Sequence, residues 1–149
     1  MALSDNEIQT AVSRGELRIT PRPAKLNAAG IDLRIDRDIE INPHHQALVA
    51  SIERVELSNN IVGILHLRSS LAREGLFASL ALVDPGFRGQ LTVSLYNSSE
   101  RQVHLERGER FIQLSLLRLN KPARQAYNGR YQDSRGVVSS RRRKKILQA

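Results

Sequence analysis

An all-β fold, either a sandwich or a barrel, is the architecture this sequence predicts. Short stretches of apolar–polar alternation recur along most of the chain, with turn residues about every eight to twelve positions. The length of 149 residues suits a single domain with one core. Only 4% of the residues are aromatic and Trp is absent, so Leu, Ile, Val and Ala must build that core.

The chain opens on its one helical signal. Ser4-Asp5-Asn6-Glu7 reads as a capping box, Ile8, Ala11 and Val12 follow at helical spacing, and Gly15 ends the segment. From Pro21 the period changes to two. Ile31-Asp32-Leu33-Arg34-Ile35 and Ile39-Glu40-Ile41 alternate, and more alternation runs from Leu48 to Leu57 before an Asn59-Asn60 turn. Ile61 to Leu67 is nearly continuous in apolar residues and predicts a buried strand. Leu91 to Asn97 alternates again, and Arg107-Gly108 turns the chain into a long strand from Phe111 to Leu119. Beyond Pro122 the hydrophobicity falls, so Tyr127 to Ser140 reads as a mobile arm. The expected organisation is one domain over 1–149, with 123–149 as a C-terminal arm and basic tail.

Composition excludes several classes. No apolar run approaches the ~20 residues of a membrane helix, and the polar start from Met1 to Glu7 resembles neither a signal nor a transit peptide. A cytoplasmic protein is the expectation. Without cysteine there is no disulfide framework and no thiolate metal site. His44, His45, His66 and His104 show no zinc spacing. Of the formal charge of +8, Arg141 to Lys145 supplies five, which leaves about +3 for the body. Such a tail is usually solvated, although it also suits nucleic acid or a polyanionic substrate. The body lacks the aromatic-interleaved basic patch of single-strand binders, so nucleic acid is not the expected partner.

One region concentrates chemistry. Arg68-Ser69-Ser70-Leu71-Ala72-Arg73 is followed by Val83-Asp84-Pro85-Gly86-Phe87-Arg88-Gly89, and turn formers rather than a helix are expected between them. A carboxylate can activate water, and an arginine–hydroxyl cluster can hold phosphate. Together they suggest a site that binds or hydrolyses a nucleoside triphosphate. The same residues also suit an ordinary surface hairpin.

Five stretches in order resemble the dUTPase and dCTP deaminase superfamily. They are Ala29 to Arg34, Leu67 to Arg73, Val83 to Gly89, Arg107 to Leu114, and Tyr127 to Gln132 with Arg135-Gly136. The opening Leu3 to Ile8 is similar to the start of the deaminase branch. The resemblance implies a distorted β-barrel or jelly roll, and assembly as a homotrimer with sites shared between subunits. It implies that Arg68, Ser69, Ser70 and Arg73 hold the triphosphate, with forked guanidinium donors matching its oxygens. Asp84 stands where the family's acid orients the attacking water. Phe87 stands where an aromatic ring excludes a 2′-hydroxyl, although many relatives carry Tyr or Trp there. Gln113 matches a phosphate-contacting amide, and Asp32 supports the phosphate region from beneath. Mg2+ is implied too, carried on the phosphates and water with no direct protein ligand set. In the arm, Arg130, Tyr131 and Arg135 either close over the triphosphate or remain disordered. Ser134 lies where relatives of the deaminase branch often have Gln.

Deaminases of this fold use a glutamate on the strand after the third motif, and the matching residue here is Ser94. A hydroxyl has no accessible pKa for shuttling protons near neutrality. The zinc route needs paired cysteines, which are absent. The resemblance therefore implies a dUTPase of the deaminase-like branch, forming dUMP and pyrophosphate from dUTP. A dCTP deaminase, which could be bifunctional, and a non-catalytic deoxynucleotide-binding protein on the same scaffold are the alternatives. The segment between Arg73 and Asp84, expected to read the pyrimidine edge, is shorter than in many relatives.

Overall fold

The computed structural model describes residues 1–142. A helix α1 (Asp5–Ser13) precedes β1 (Leu17–Thr20), β2 (Lys25–Asn27), β3 (Gly30–Arg34), β4 (Ile39–Ile41), β5 (Gln46–Leu57) and β6 (Ile61–Leu67). A short helix α2 (Ser69–Arg73) then leads to β7 (Leu76–Ser79), β8 (Leu82–Val83), β9 (Arg88–Asn97), β10 (Val103–Leu105) and β11 (Arg110–Arg118).

The described residues form three sheets, in the orders β1-β5-β9-β7, β2-β3-β11-β6-β8 and β10-β4. Inward residues of the two larger sheets share one core, including Val49, Val55, Val93 and Leu95 from the first and Leu33, Leu65, Ile112 and Leu114 from the second. The sheets stay open. The expected jelly-roll type of fold is thus present as two packed layers rather than a closed barrel.

The capping box forms as its residues dictate. The Ser4 hydroxyl accepts from the Glu7 amide at 3.4 Å, and the Glu7 carboxylate accepts from the Ser4 amide at 2.8 Å. Ile8 and Ala11 are buried, whereas Val12 is 50% exposed, because the nine-residue helix sets only a narrow stripe against the sheet. Ile61 to Val62 and Leu65 are buried in β6 as expected. Where turn formers alone were expected after Leu67, the chain instead makes α2, seated by the buried Leu71.

A register shift between Ala50 and Arg54 interrupts the pairing of β5 with β9. The Ser51 hydroxyl satisfies the bulge by donating to Glu53 O at 2.7 Å and accepting from the Leu91 amide at 3.0 Å. The irregularity turns Glu53 inward, where its fully buried carboxylate accepts from Arg34 Nε at 2.7 Å and the Arg34 amide at 2.9 Å.

The arm has a seat on the fold. Tyr127 to Ser140 forms no strand or helix, yet it is seated rather than loose. β7 covers β9 only from Ser94 to Asn97, which leaves the Arg88–Thr92 edge open. The arm takes that edge: the Asp133 amide donates to Arg88 O at 2.7 Å, and the Gln90 amide donates to Ser134 O at 2.9 Å. Gly136 and Val138 donate to the side chains of Gln90 and Thr92 at 2.6 and 3.0 Å. An unpaired sheet edge supplies the physical reason, since its polar groups need partners. Of the basic run Arg141 to Lys145, the last three residues lie outside the described part. Among the described residues no helix is long and apolar enough to cross a membrane.

Candidate active site

Arg68 leaves the end of β6 with its amide donating to Phe111 O at 3.0 Å and its Nη1 donating to Arg110 O at 3.2 Å. Beside it lies Asp32, 5% exposed, on β3. Arg110 Nη1 donates to Asp32 Oδ2 at 3.0 Å, Arg68 Nε stands 3.9 Å from the same oxygen, and Asn27 Nδ2 donates to Oδ1 at 2.7 Å. A buried carboxylate thus aligns two guanidinium groups whose side chains remain about a third exposed, at 31% and 34%. Arg110 lay inside the fourth motif, but only the folded chain shows its partnership with Asp32.

Gln113 sits opposite Asp32 on one side and His66 on the other. Gly30 makes room for it: a Cβ there would lie 3.0 Å from Gln113 Nε2 and from Leu114 O. Ser69, Ser70 and Arg73 are exposed on α2, immediately beyond Arg68. Arg68, Ser69, Ser70, Arg73, Gln113 and Asp32 therefore belong to one end of the five-stranded sheet.

Asp84 belongs to the other. Its carboxylate is exposed, while its main-chain carbonyl closes the turn by accepting from the Phe87 amide at 3.0 Å. Gly86 takes φ +87°, and a Cβ there would meet Ala126 Cβ at 2.5 Å, so the turn demands glycine twice over. The Phe87 ring turns inward, 8% exposed, and meets Tyr127 edge to face with centroids 5.7 Å apart. Val83 pairs with Gly63, which places Asp84 level with Val62 on β6. Arg68 is six residues further along, about 20 Å away at the rise of an extended strand. One chain does not bring Asp84 to the arginine–hydroxyl cluster.

The arm residues gather on the Asp84 side. The Tyr127 amide donates to Pro85 O at 2.8 Å, and Gln132 Nε2 donates to Gly86 O at 2.9 Å. Arg130 Nη1 donates to Arg141 O at 2.9 Å, and the Tyr131 hydroxyl accepts from the Arg141 amide at 3.0 Å. Arg135 is exposed and lines a cleft with Arg54, Gln90, Asp133 and Ser134.

Sequence reasoning passed over Asp133. The forked hydrogen bond from Arg88, with a second from Arg54, holds its carboxyl down to about 2 from the usual 3.8. The folded value lies below the unfolded one, so this latch acts fully above pH 3.8 and fades as pH falls toward 2. A carbon-13 NMR titration is expected to place the Asp133 midpoint at about 2, and a midpoint at the usual 3.8 would mean that the latch is not formed in solution.

Asp84 and Asp32 do not form a cation cage. No group of three or more His, Cys, Asp or Glu side chains comes together among the described residues, and Asp32 is already committed to Asn27 and Arg110. These residues fit magnesium only as an ion carried by the phosphates of a nucleotide.

A family model described as dCTP deaminase-like matches residues 35–119. The chain is 43% identical to a dCTP deaminase of Pyrococcus abyssi over 145 residues, covering 87% of this chain and 94% of that protein. It is 36% identical over 154 residues to a probable deoxyuridine 5′-triphosphate nucleotidohydrolase of Sulfolobus islandicus rod-shaped virus 1, covering 93% and 97%. Among solved structures, the EIAV dUTPase superposes with a TM-score of 0.61 at 25% identity, over 76% of this chain and 96% of that one.

Proposed function

The chain belongs to the dCTP deaminase-like family, and from that membership we propose that it hydrolyses dUTP to dUMP and pyrophosphate. Ser94 is the observation that carries this reading. Half-buried on β9, its Oγ accepts from Gln46 Nε2 at 2.7 Å, and its cross-strand neighbours are Leu48 and Ser79. None of the three offers the carboxylate that deamination by this fold's route requires.

Hydrolysis asks less of the protein. The exposed Asp84 carboxylate accepts a proton from water, whose oxygen bonds to the α-phosphorus while the bond to the bridging oxygen breaks and pyrophosphate leaves. Arg68, Ser69, Ser70, Arg73 and Gln113 bind the phosphates, and Asp32 holds Arg68 and Arg110 in alignment, so charge developing on the phosphoryl oxygens meets donors already in place. Magnesium enters as part of the nucleotide complex, where it offsets phosphate charge. The separation of Asp84 from Arg68 supports a homotrimer in which one copy presents the acid and another the phosphate cluster. Phe87 lies beneath Tyr127, so exclusion of a 2′-hydroxyl by its ring requires the arm to shift. Arg130, Tyr131 and Arg135 are then carried over the nucleotide by that same movement.

A dCTP deaminase is the second reading, favoured by the 43% identity to the Pyrococcus abyssi enzyme. Incubating dUTP and dCTP separately and resolving products by chromatography separates the two. The expected result is dUMP and pyrophosphate from dUTP with dCTP unchanged. Appearance of dUTP or dUMP from dCTP establishes deamination instead. Negligible and equal turnover by the native chain and by Asp84→Asn leaves a nucleotide-binding protein.

A further inference from the structure

Asp133 holds a left-handed backbone conformation, φ +60°, on an exposed stretch of the arm. Residues with side chains seldom adopt it, although Asp tolerates it better than most. The conformation places the carboxylate between two guanidinium groups. Arg88 donates from Nε to Oδ1 at 3.3 Å and from Nη2 to Oδ2 at 3.1 Å, and Arg54 donates from Nη2 to Oδ1 at 2.7 Å. Two guanidiniums converging on one pair of anionic oxygens is also how phosphoryl groups are gripped.

The surroundings extend the charge. Arg54 and Arg135 line a cleft of about 330 Å³ together with Gln90, Asp133 and Ser134. Across Arg88 lies a second cleft, of about 460 Å³, lined by Arg18, Glu56, Ser58 and Asn59 among others. With Asp133 withdrawn, Glu56, 3.7 Å from Arg18 and from Arg54, is the one acid left among these lining residues, against the four arginines Arg18, Arg54, Arg88 and Arg135. Neither lining includes an aromatic face on which a base could stack. The ligand this chemistry suits is an inorganic anion rather than a nucleotide.

We propose that Arg54 and Arg88 form a second anion site, specific for a free phosphoryl polyanion such as pyrophosphate, which the Asp133 carboxylate occupies while the arm is seated. The side chains of Arg54, Arg88 and Asp133 are 33%, 48% and 53% exposed, so the pairs are weak, and a more highly charged anion competes with one carboxylate. Displacing Asp133 removes the ionic latch and leaves that part of the arm on its amide hydrogen bonds to Arg88, Gln90 and Thr92. Pyrophosphate binding therefore loosens the arm. The inference holds whether the family chemistry of this chain is hydrolysis or deamination.

The test uses the full chain carrying Arg68→Ala and Arg73→Ala, which strips both arginines of α2 and its N-cap from the proposed phosphate cluster, on the other large sheet. Inorganic pyrophosphate is titrated into it calorimetrically, without metal and at constant ionic strength. Binding is expected to persist, to tighten several-fold with Asp133→Asn added, and to be lost with Arg54→Gln added. Tryptic cleavage after Arg135 is expected to accelerate with pyrophosphate but not with sodium chloride of equal ionic strength. Loss of all pyrophosphate binding in the starting variant overturns the proposal. So does equal affinity with and without Asp133→Asn, a readout that needs no other variant at the seat.

Discussion

Asp84→Asn is expected to slow dUTP hydrolysis by about two to four orders of magnitude, the usual contribution of a positioned general base. In transition-state terms that is about 2.7–5.4 kcal/mol. Affinity for a non-hydrolysable dUTP analogue is expected to stay within a few-fold, because the residues proposed to bind phosphate lie at the other end of β6. Stability is little altered, since the Asp84 side chain is exposed. Arg68→Ala loses activity for a different reason, weaker phosphate binding. Mixing the two variants after dissociation is then informative. A composite site needs an intact Asp84 from one copy and an intact Arg68 from its neighbour, so equal mixing restores about one quarter of native activity. Recovery of none indicates that both residues act within one chain, against the separation their positions on β6 and β8 impose. Unchanged turnover by Asp84→Asn would falsify the assignment of this carboxylate as the base.

The largest effect on stability is expected from Arg34→Met. The Glu53 side chain is 0% exposed and takes hydrogen bonds from Arg34 Nε and from the Arg34 amide. Removing the guanidinium leaves a buried carboxylate with one main-chain donor from that residue, at a cost of about 3–5 kcal/mol. For a chain of this size the melting temperature falls by about 6–20 °C. Arg34 Nη2 also donates to Arg22 O at 3.3 Å, so the Arg22–Pro23 loop loses an anchor as well. Adding Glu53→Leu to Arg34→Met is expected to recover much of the loss, because an apolar pair of similar volume leaves no charge uncompensated. Thermal and urea unfolding measure both steps. A single-variant loss below about 1 kcal/mol, the range of exposed ion pairs, shows that Glu53 reaches water in solution.

Local pattern made some features legible and not others. The capping box needs only Ser4 and Glu7, three residues apart, so its geometry follows from the sequence directly. The strand Ile61–Leu67 follows from composition alone, although its far end is less buried than expected, with His66 exposed and Leu67 half-buried. The helix α2 was invisible, since five residues carry no period, and Leu71 seats it only because a core stands beneath. The seat of the arm was hidden for a related reason. The arm's polarity suggests mobility, but the open Arg88–Thr92 edge of β9 that receives it is a property of strand order.

The site divides along the same line. Arg68, Ser69, Ser70, Arg73 and Asp84 stand out as residue types that suit phosphate chemistry, while Phe87, Gln113 and the acid missing at Ser94 stand out only through the resemblance to the superfamily. Sequence by itself determined which functional groups this protein owns, the family they place it in, and its all-β character, because residue identity and short-range periodicity are written one position at a time. Tertiary structure alone decided that Asp32 aligns Arg68 with Arg110, that Glu53 is buried against Arg34, that Asp133 latches the arm, and that Asp84 lies a sheet's length from the arginine–hydroxyl cluster. Each of those depends on the register and order of strands distant in the chain, and register is set by how whole faces pack rather than by any residue's own preference.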